Sequence, residues 1–453
     1  MSGQPDLRTF LADLEAKHPE LLLTFDEEVP LDYTSTAVSV ELEKRGRQAA
    51  ILFNNITGHS QSLVANLCAS LDLMALGVGK QGSEFRSYLS HCLDHLIPAK
   101  KVDKLPVQEI VLEGDEVDLT KLPIPVHFDG DAGPYITAGM VAAQDPDRDV
   151  GNLAYARLQV KGPRRMGMSL HSRQHLWDYH RRAAEQGKDL PAAIVIGAHP
   201  SVVIAAAAKM GRDEDEYDYA GALLGEPLNI GRAHSVNAWV PAQAEIVIEG
   251  HILGGEEETE GPFGEYTGYM TGRSTNNVFE VSAITMRKAA IFMDIIPGNS
   301  NEHLMLGRIV KEAWVHNRMA EALPFFIDFH YPNSGTHFHC HVRIEKHGEG
   351  YAKQAAELLL GLDHYVKMVI VVDKDIDPSN EREVMWAVAT RMQADRDVSI
   401  INNVLCNRLD PSSSDGVGAK MIIDATRDMA DSSRKVKLPP EAEILAGQLL
   451  KNV

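Results

Sequence analysis

The sequence predicts a multidomain protein that is α/β at both ends and rich in β-strands in the middle. Its 453 residues exceed the size of one compact hydrophobic core, so two or three domains are expected. Helical and strand-like patterns alternate near both ends of the chain, which is typical of α/β domains. Between about residues 107 and 290 the β-like runs are short and are broken by Gly, Pro and Asp, a composition that indicates a sheet-rich or barrel-like domain.

The first region is predicted to contain two helices followed by a strand. Residues 7–17 carry apolar side chains at helical spacing, and residues 36–45 have a second helical pattern. The run 49–53 follows as a strand, and residues 55–58 (Asn-Ile-Thr-Gly) end it with turn-forming side chains.

The middle region is predicted to be built mainly from strands. Residues 121–125 (Lys-Leu-Pro-Ile-Pro) look like an extended crossing into it. The predicted strands are Glu109–Leu112, Leu153–Val160, Ala192–Ile196, Ala244–Glu249 and Val278–Thr285.

The last region returns to alternating helices and strands. Helices are predicted near 307–322, 351–362 and 381–394, with strands at His337–Ile344, Lys367–Val372 and Val398–Ile401. A helical pattern at Glu441–Leu450, close after two prolines, predicts a terminal helix.

Composition argues against several classes of partner. The formal net charge is −20 at pH 7, whereas nucleic-acid binders present basic patches. No apolar run reaches the roughly 18–20 residues of a membrane helix, and Met1–Arg8 lacks the pattern of a secretory signal. The four cysteines show no C-x-x-C spacing and are interpreted as reduced thiols. We therefore expect a cytoplasmic protein with neither nucleic-acid nor membrane partners.

Two glutamates separated by four residues, Glu260 and Glu265, mark the most informative segment, Glu-Gly-Pro-Phe-Gly-Glu. Pro262 fixes one φ angle and the glycines permit conformations that other residues avoid, so a shaped loop is predicted. Two carboxylates held in such a loop suit acid/base catalysis, because one can be tuned against the other. The alternative is a solvated acidic turn, since the charge run Glu256–Glu258 comes just before it.

A second candidate site combines Asn152, His175 and Glu216. These side chains form an oxygen and nitrogen ligand set that suits Mg²⁺ or Mn²⁺ holding a phosphate. Arg157 follows Asn152 by five positions, which puts the two on opposite faces of a regular strand unless a bulge or loop intervenes. The alternatives are a structural or solvated His175 and a solvated acidic face at Glu216, and separation in sequence does not establish convergence.

Two further motifs favour structural roles. His337, His339 and His341 would share one strand face, but a metal needs ligands that converge at about 2 Å, so a solvated or interface strand is favoured. The segment Asp373–Pro378 lacks the Gly and the distal Glu of a calcium loop and is predicted to be a strand-to-helix turn with an Asp cap. Walker, Rossmann, H-E-x-x-H and G-x-S-x-G motifs are absent from the sequence.

These motifs belong to a longer series of segments: 7–11 (LRTFL), 52–58 (LFNNITG), 152–157 (NLAYAR), 174–175 (QH), 216–221 (EYDYAG), 240–250 (VPAQAEIVIEG), 260–268 (EGPFGEYTG), 371–380 (VVDKDIDPSN), 385–398 (MWAVATRMQADRDV), 418–421 (GAKM) and 424–426 (DAT). In this order they resemble the UbiD family of reversible decarboxylases, which use prenylated flavin mononucleotide. The resemblance covers nearly the whole chain and is far more specific than any single motif.

The resemblance implies roles for individual residues. Asn152, His175 and Glu216 match the family's divalent-metal ligands, which join the protein to the cofactor phosphate through Mn²⁺ or Mg²⁺ with a nearby K⁺. Arg157, Glu260 and Glu265 match its catalytic network. The implied cofactor contacts are Asn152, Tyr155, Arg157, Gln174, His175, Glu216 and Lys420.

It also implies an architecture and partners. The expected domains are an N-terminal α/β region (1–106), a central split β-barrel that binds prenylated FMN (107–304), and a C-terminal α/β domain (305–453). The C-terminal domain with its terminal helix would form a homodimer or homohexamer. A flavin prenyltransferase would supply the cofactor.

For the reaction, the resemblance implies a carboxylic acid as substrate and CO₂ as product. Glu265 would donate the proton, while Glu260 would stay ionised against Arg157, which could also orient the substrate carboxylate. His303 lies in segment 298–304, which lines the substrate pocket in related enzymes. A His at this place resembles the subgroup that acts on furan, pyrrole or indole carboxylates. It would hydrogen-bond a ring heteroatom or a second carboxylate.

The same residues allow other interpretations of the substrate and of the protein class. His303 would otherwise only pack the loop, and Arg308 and Lys311 are weaker candidates for a second carboxylate. The substrate would otherwise be a phenolic, acrylic or polyprenyl-hydroxybenzoic acid. The rival classes are a non-catalytic flavin-binding protein and an ordinary FMN oxidoreductase.

Overall fold

The computed structural model describes residues 3–170, 175–272, 274–414, 416–430, 436 and 438–450. The helices are α1 (Leu7–Lys17), α2 (Thr34–Lys44), α3 (Leu71–Gly77), α4 (Gly82–Asp94), α5 (His175–Glu185), α6 (Pro200–Ala205), α7 (Glu216–Leu224), α8 (Asn301–Ala322), α9 (Tyr351–Leu362), α10 (Glu381–Arg391) and α11 (Pro440–Leu449). The strands are β1 (Leu22–Phe25), β2 (Ala50–Phe53), β3 (Ser62–Ala65), β4 (Lys100–Lys101), β5 (Ile110–Glu113), β6 (Tyr135–Ile136), β7 (Met140–Gln144), β8 (Gly151–Tyr155), β9 (Leu158–Gly162), β10 (Arg165–Met168), β11 (Leu190–Ile196), β12 (Asn229–Arg232), β13 (Trp239–Pro241), β14 (Ile246–Glu260), β15 (Phe263–Gly264), β16 (Met270–Thr271), β17 (Ser274–Met286), β18 (Ile291–Met293), β19 (Phe326–His330), β20 (His339–Ile344), β21 (Met368–Asp373), β22 (Val398–Leu405) and β23 (Val417–Asp424).

Helix α1 shows how local sequence sets an element. The Asp6 side chain accepts from the Thr9 backbone N–H, and the Thr9 hydroxyl accepts from the Asp6 N–H, so the first turn is capped from both sides. Its apolar face, which includes Phe10 and Leu14, is buried. The observed bounds equal the predicted ones.

The N-terminal sheet takes one of its strands from far along the chain. Its order is β1-β2-β3-β18, and β18 pairs with β3 in parallel. One continuous hydrophobic cluster extends from Leu7 to Ala313. The N-terminal and central parts of the chain therefore share one core.

The central sheet is large and curved. Its order is β6-β9-β10-β17-β14-β11-β7-β8, with β5 also paired to β17. The long pair β14 and β17 shifts register twice, between Glu249 and Gly250 and between Ile252 and Glu257, and such bulges bend a sheet. A Cβ on Gly250 would lie 2.0 Å from the Glu280 carbonyl oxygen, so only glycine fits this bend. The result is the half-barrel of the predicted β-rich domain.

The C-terminal sheet is a separate α/β layer with the order β19-β20-β21-β23-β22. Val369 and Val371 of β21 pack in one core cluster with α9, while Ile370 and Val372 pack in another with α10. Alternate residues of a strand point to opposite faces, so α9 and α10 cover the two faces of this sheet. Helix α11 has no buried residue.

Several local predictions were wrong. The predicted strand Leu153–Val160 is two strands, β8 and β9, with Arg157 between them. The solvated alternative is wrong for His337 and His341, which are buried with their rings at 2.8 and 2.9 Å from the Leu304 and Pro378 carbonyl oxygens. The interface alternative for this strand stays a prediction. The cap of α10 is Asn380, not an Asp. Among the residues described above, no helix is long and apolar enough to cross a membrane.

Candidate active site

Arg157 occupies the short break between β8 and β9. Strand β8 pairs with β7, whereas β9 pairs with β6 and β10. The chain therefore changes neighbours at Arg157, and the break releases its side chain from the strand alternation. The break also separates Arg157 from the strand that carries Asn152, so the two side chains are not forced onto opposite faces of one strand.

Glu260 ends strand β14 and is completely buried. Its two carboxylate oxygens accept from Arg157 Nε at 3.1 Å and from Arg157 Nη2 at 2.7 Å. The Asn276 side-chain amide donates to the same carboxylate at 2.7 Å. A buried carboxylate with this set of donors is held in one position.

The segment after Glu260 returns the chain to the same guanidinium. Gly261 has φ +87°, a conformation open to glycine. The Phe263 ring lies under Arg157, with 5.3 Å between the guanidinium carbon and the ring centroid. Glu265, 7% exposed, accepts from Arg157 Nη1. The predicted shaped loop is confirmed, and the solvated acidic turn is wrong for both glutamates.

This cluster joins one cation to two carboxylates. Burial acts to lower the pKa of Arg157, but the hydrogen bonds to Glu260 and the charges of Glu260 and Glu265 outweigh it, and the pKa is raised. Arg157 therefore stays charged. Glu260 is held by two of the guanidinium nitrogens and Glu265 by the third, so two carboxylates share one buried cation from different sides.

Two residues of this cluster were missed by sequence reasoning, Asn276 and Tyr135. Asn276 reaches Glu260 because β17 runs antiparallel to β14. Burial and then the neighbouring Glu260 raise the pKa of Tyr135, whose ring packs against Phe263 with 4.6 Å between centroids. Only the pairing of β14 with β17 would have pointed to Asn276, and no sequence signal marks Tyr135.

His303 lies in the first turn of α8, close enough to Glu265 to feel its charge. Its Nδ1 atom is buried and has no hydrogen-bond partner in the described residues. Burial lowers the pKa of His303, and the Glu265 charge and a backbone hydrogen bond at Gly298 oppose that shift. The Tyr266 ring meets His303 edge-on at 5.9 Å. A neutral imidazole with a free ring nitrogen is suited to bind a polar atom of a ligand.

Arg308 and Lys311, the weaker substrate candidates, are engaged elsewhere. Arg308 donates to the Tyr331 carbonyl oxygen and to the Asn333 side chain. Lys311 pairs with Asp363 at 2.7 Å. Both contacts lie in the C-terminal α/β layer, so neither cation is free for a substrate in this structure.

The predicted metal ligands lie on three adjoining elements, β8, α5 and α7. Glu216 is buried rather than solvated, and its Oε2 accepts from the Leu153 N–H at 2.8 Å. Burial raises the pKa of Glu216 to about 8 against that hydrogen bond, and Asp215 adds to the rise. The Asn152 amide nitrogen is buried without a partner among the described residues.

His175 completes this set. Burial and the Arg212 cation lower its pKa, so the ring is neutral at pH 7 and offers a lone pair. The described residues contain no metal-binding group of three or more His, Cys, Asp and Glu side chains, and the predicted set has two of these types plus Asn152. A neutral His and a buried acid suit a divalent metal, and Asn152 would add its amide oxygen, since the amide nitrogen is a donor and does not bind a cation.

The remaining predicted cofactor contacts are placed as follows. The Tyr155 hydroxyl donates to the Val203 carbonyl oxygen of α6 at 3.1 Å. Lys420 is buried in β23 and donates to the His364 carbonyl oxygen at 3.2 Å. Burial lowers the pKa of Lys420. Gln174 lies outside the described residues.

Family models match the chain over three consecutive stretches. The 3-octaprenyl-4-hydroxybenzoate carboxy-lyase N-terminal domain matches residues 12–92, the Rift-related domain residues 100–300, and the C-terminal domain residues 304–425. With the fold and the buried Arg–Glu–Glu cluster, these matches define the class: the chain belongs to the UbiD family of carboxy-lyases.

Solved structures of the family align along almost the entire chain. The UbiD-class enzyme HmfF from Pelotomaculum thermopropionicum, in complex with FMN, is 38% identical with a TM-score of 0.92, covering 98% of this chain and 100% of that one. An evolved dimeric form of HmfF holds prFMN; it is 36% identical with a TM-score of 0.87, covering 97% and 98%.

Two decarboxylases of aromatic acids are also similar. Vanillic acid decarboxylase from Sedimentibacter hydroxybenzoicus, in closed form, is 31% identical with a TM-score of 0.86, covering 100% of both chains. The 3,4-dihydroxybenzoic acid decarboxylase from Enterobacter cloacae is 27% identical with a TM-score of 0.88, covering 98% and 99%. The protein is a UbiD-class decarboxylase, and the predicted fold and enzyme class are confirmed.

Proposed function

We propose that the protein catalyses the reversible, non-oxidative decarboxylation of a heteroaromatic acid of the furan, pyrrole or indole carboxylate type, with prenylated FMN as cofactor. The observation that carries this proposal is the buried fork of Arg157 between Glu260 and Glu265, next to the unpartnered His303 nitrogen. The FMN and prFMN complexes of HmfF support the cofactor.

The cofactor site is proposed at β8, α5 and α7. Asn152, His175 and Glu216 would hold Mn²⁺ or Mg²⁺ at the cofactor phosphate, with K⁺ nearby. Prenylated FMN, when bound, supplies an electrophile and an electron sink. The further contacts proposed for it are Tyr155, Arg157, Gln174 and Lys420.

The residues of this chain then have distinct tasks. Glu260 anchors Arg157, and Arg157 orients the substrate carboxylate. Protonated Glu265 delivers its proton to the carbon that has lost CO₂, and regains a proton before the next turnover. Burial of Glu260 and Glu265 excludes water, which strengthens each charge interaction.

His303 supports the choice of substrate. Its unpartnered Nδ1 would bind the ring heteroatom or a second polar group of the acid. We expect His303→Asn to change the ranking of acids by kcat/KM, because a shorter amide meets a different ring atom. The exposed His95→Asn is the control. An unchanged ranking in both variants would remove His303 from substrate recognition.

The decisive experiment uses protein co-produced with a flavin prenyltransferase. Its absorption spectrum and cofactor mass are recorded, and furan, pyrrole, indole, benzoic and acrylic acids are screened for CO₂ release and deuterium exchange. Turnover of a five-membered heteroaromatic acid supports the proposal. Turnover of phenolic acids alone would instead align the protein with the vanillic and 3,4-dihydroxybenzoic acid decarboxylases. Bleaching of the flavin by reduced nicotinamide would indicate an FMN oxidoreductase.

We also propose that the protein acts in the cytoplasm as a homodimer or homohexamer assembled through the C-terminal domain. Helix α11 exposes Ile444, Leu445 and Leu449, and Leu450 follows it, each more than half exposed. An evolved dimeric form of HmfF supports such an assembly. Replacing Leu445 and Leu449 together by Asp should lower the oligomeric mass in light scattering. An unchanged mass would exclude α11 from the interface.

A further inference from the structure

The segment His127–Ala132 touches both walls of the candidate active site. One wall is the catalytic loop, Gly261–Glu265, which carries the proposed acid. The other is the pocket turn, Gly298–His303, which carries the proposed substrate contact. Sequence reasoning did not single out this segment, which precedes β6. We call it the bracket.

Asp131 ties the bracket to the catalytic loop. Its Oδ1 accepts from the Gly264 N–H at 2.9 Å, directly before the proposed acid. Its Oδ2 accepts from the His127 and Phe128 N–H groups at 3.2 and 2.9 Å. The Ala132 N–H donates to the Pro262 carbonyl oxygen at 2.9 Å. The backbone of the loop is thus bound at two points.

Phe128 and His127 extend the bracket to the second wall. A Cβ on Gly264 would lie 2.4 Å from Phe128 Cδ2, and a Cβ on Gly298 would lie 2.6 Å from Phe128 Cζ, so one ring lies against both walls. His127 Nε2 meets the Asp294 carboxylate at 3.0 Å, and both side chains are fully buried. Asp294 precedes the pocket turn, so the bracket contacts both walls of the pocket.

We propose that Asp131 is a positioning residue: through the bracket it sets the distance between the acid Glu265 and a substrate ring held by His303. This inference rests on the proposed function. A carboxylate is required because three backbone N–H groups point at its two oxygens. An Asn has one acceptor oxygen, so its amide nitrogen would face either Gly264 or the His127–Phe128 pair as a second donor.

The test compares Asp131→Asn with Asp129→Asn, an exposed acid in the same segment. Residue-resolved amide hydrogen exchange on the flavin-free protein measures how firmly the Gly264 N–H is held. We expect Asp131→Asn to speed exchange at Gly264 at least tenfold, while the sheet amides keep their rates and Asp129→Asn behaves as wild type. Unchanged exchange at Gly264 in Asp131→Asn would overturn the proposal.

Kinetics of the flavin-loaded enzyme give the second readout. Loss of alignment between acid and substrate should lower kcat by about tenfold to a hundredfold, with KM changed less than threefold and the same flavin content. A loss confined to KM or to flavin content would contradict a positioning role.

If Asp131→Asn does not fold, amide exchange in the wild-type protein tests the hydrogen bond from Gly264 to Asp131. The Gly264 amide should then exchange at least a hundredfold more slowly than the exposed amides of Asp129 and Gly130. Equal rates would overturn the proposal. If the wild-type enzyme releases CO₂ from no acid, the proposed function fails, while the exchange data still decide whether Asp131 holds the catalytic loop.

Discussion

Replacing Arg157 by Lys is the most direct test of the catalytic role proposed for the Arg157, Glu260 and Glu265 cluster. Arginine donates from three nitrogens here: Nε and Nη2 to Glu260 at 3.1 and 2.7 Å, and Nη1 to Glu265. Lysine keeps the positive charge but has one nitrogen, which cannot reproduce a fork between two carboxylates. The variant therefore separates the role of charge from the role of geometry.

The magnitude follows from the contacts that lysine cannot make. Two of the three charge-assisted hydrogen bonds are lost, each contributing about 1.5–3 kcal/mol. The sum is roughly 3–6 kcal/mol, and each 1.36 kcal/mol is about tenfold in rate. We expect kcat/KM for CO₂ release to fall by about 10²- to 10⁴-fold. Because Glu260 is completely buried, its loss of donors should also lower the thermal stability.

The assay follows CO₂ release and deuterium exchange in parallel, at equal flavin content. The control is Arg164→Lys, because Arg164 is 44% exposed and its ion pair with Asp115 is 3.6 Å long, a type of contact that contributes little. A fall of less than fivefold in Arg157→Lys would refute the reasoning, since charge alone would then suffice. An equal fall in the control would show that the effect is not local.

Three further perturbations test other parts of the site. The Tyr266 hydroxyl, next to Glu265, accepts a hydrogen bond from the side-chain amide of Asn407 in the C-terminal domain. Tyr266→Phe removes this hydrogen bond and should slow turnover about threefold to tenfold; an unchanged kcat would exclude a catalytic role for this contact. Glu216→Gln should weaken Mn²⁺ binding to the flavin-free protein at least tenfold by calorimetry, with exposed Glu214→Gln as the control; equal affinities would remove Glu216 from the ligand set. Burial lowers the pKa of His199 from 6.5 to about 4. Between pH 6.5 and about pH 4 the unfolded chain binds a proton at His199 that the folded protein does not bind. The free energy of unfolding therefore falls as the pH falls through this range. His199→Asn, which keeps a capping side chain at α6, should reduce the loss by about 2–3 kcal/mol in denaturation series at pH 7 and pH 4; parallel losses would contradict this assignment.

Elements with strong local signals were predicted closely. Helix α1 has its predicted bounds because a capping box and an apolar stripe lie within a few residues of each other. Helix α8 begins six residues earlier than predicted, at Asn301, because the Ser300 side chain caps it by accepting from the His303 N–H. The shaped loop between Glu260 and Glu265 was likewise predicted correctly, because its proline and glycines determine the conformation of their own backbone.

The strand patterns were less informative where the chain changes partners. The run Leu153–Val160 looks continuous in sequence, yet it divides at Arg157 because the flanking strands pair with different neighbours. Strand β18 joins the N-terminal sheet although it comes after the central sheet in the chain. Strand pairing is a non-local property, and apolar alternation does not specify the partner.

The sequence by itself determined the class of fold, the shaped loop between Glu260 and Glu265 and a list of candidate side chains. Only the tertiary structure decided that Arg157 meets Glu260, 103 positions away, that Asn276 and Tyr135 join them, and that Glu216 is buried. Turns and caps depend on neighbours within one helical turn. Burial and convergence instead depend on which distant strands pack together, and that choice is made by the whole core at once.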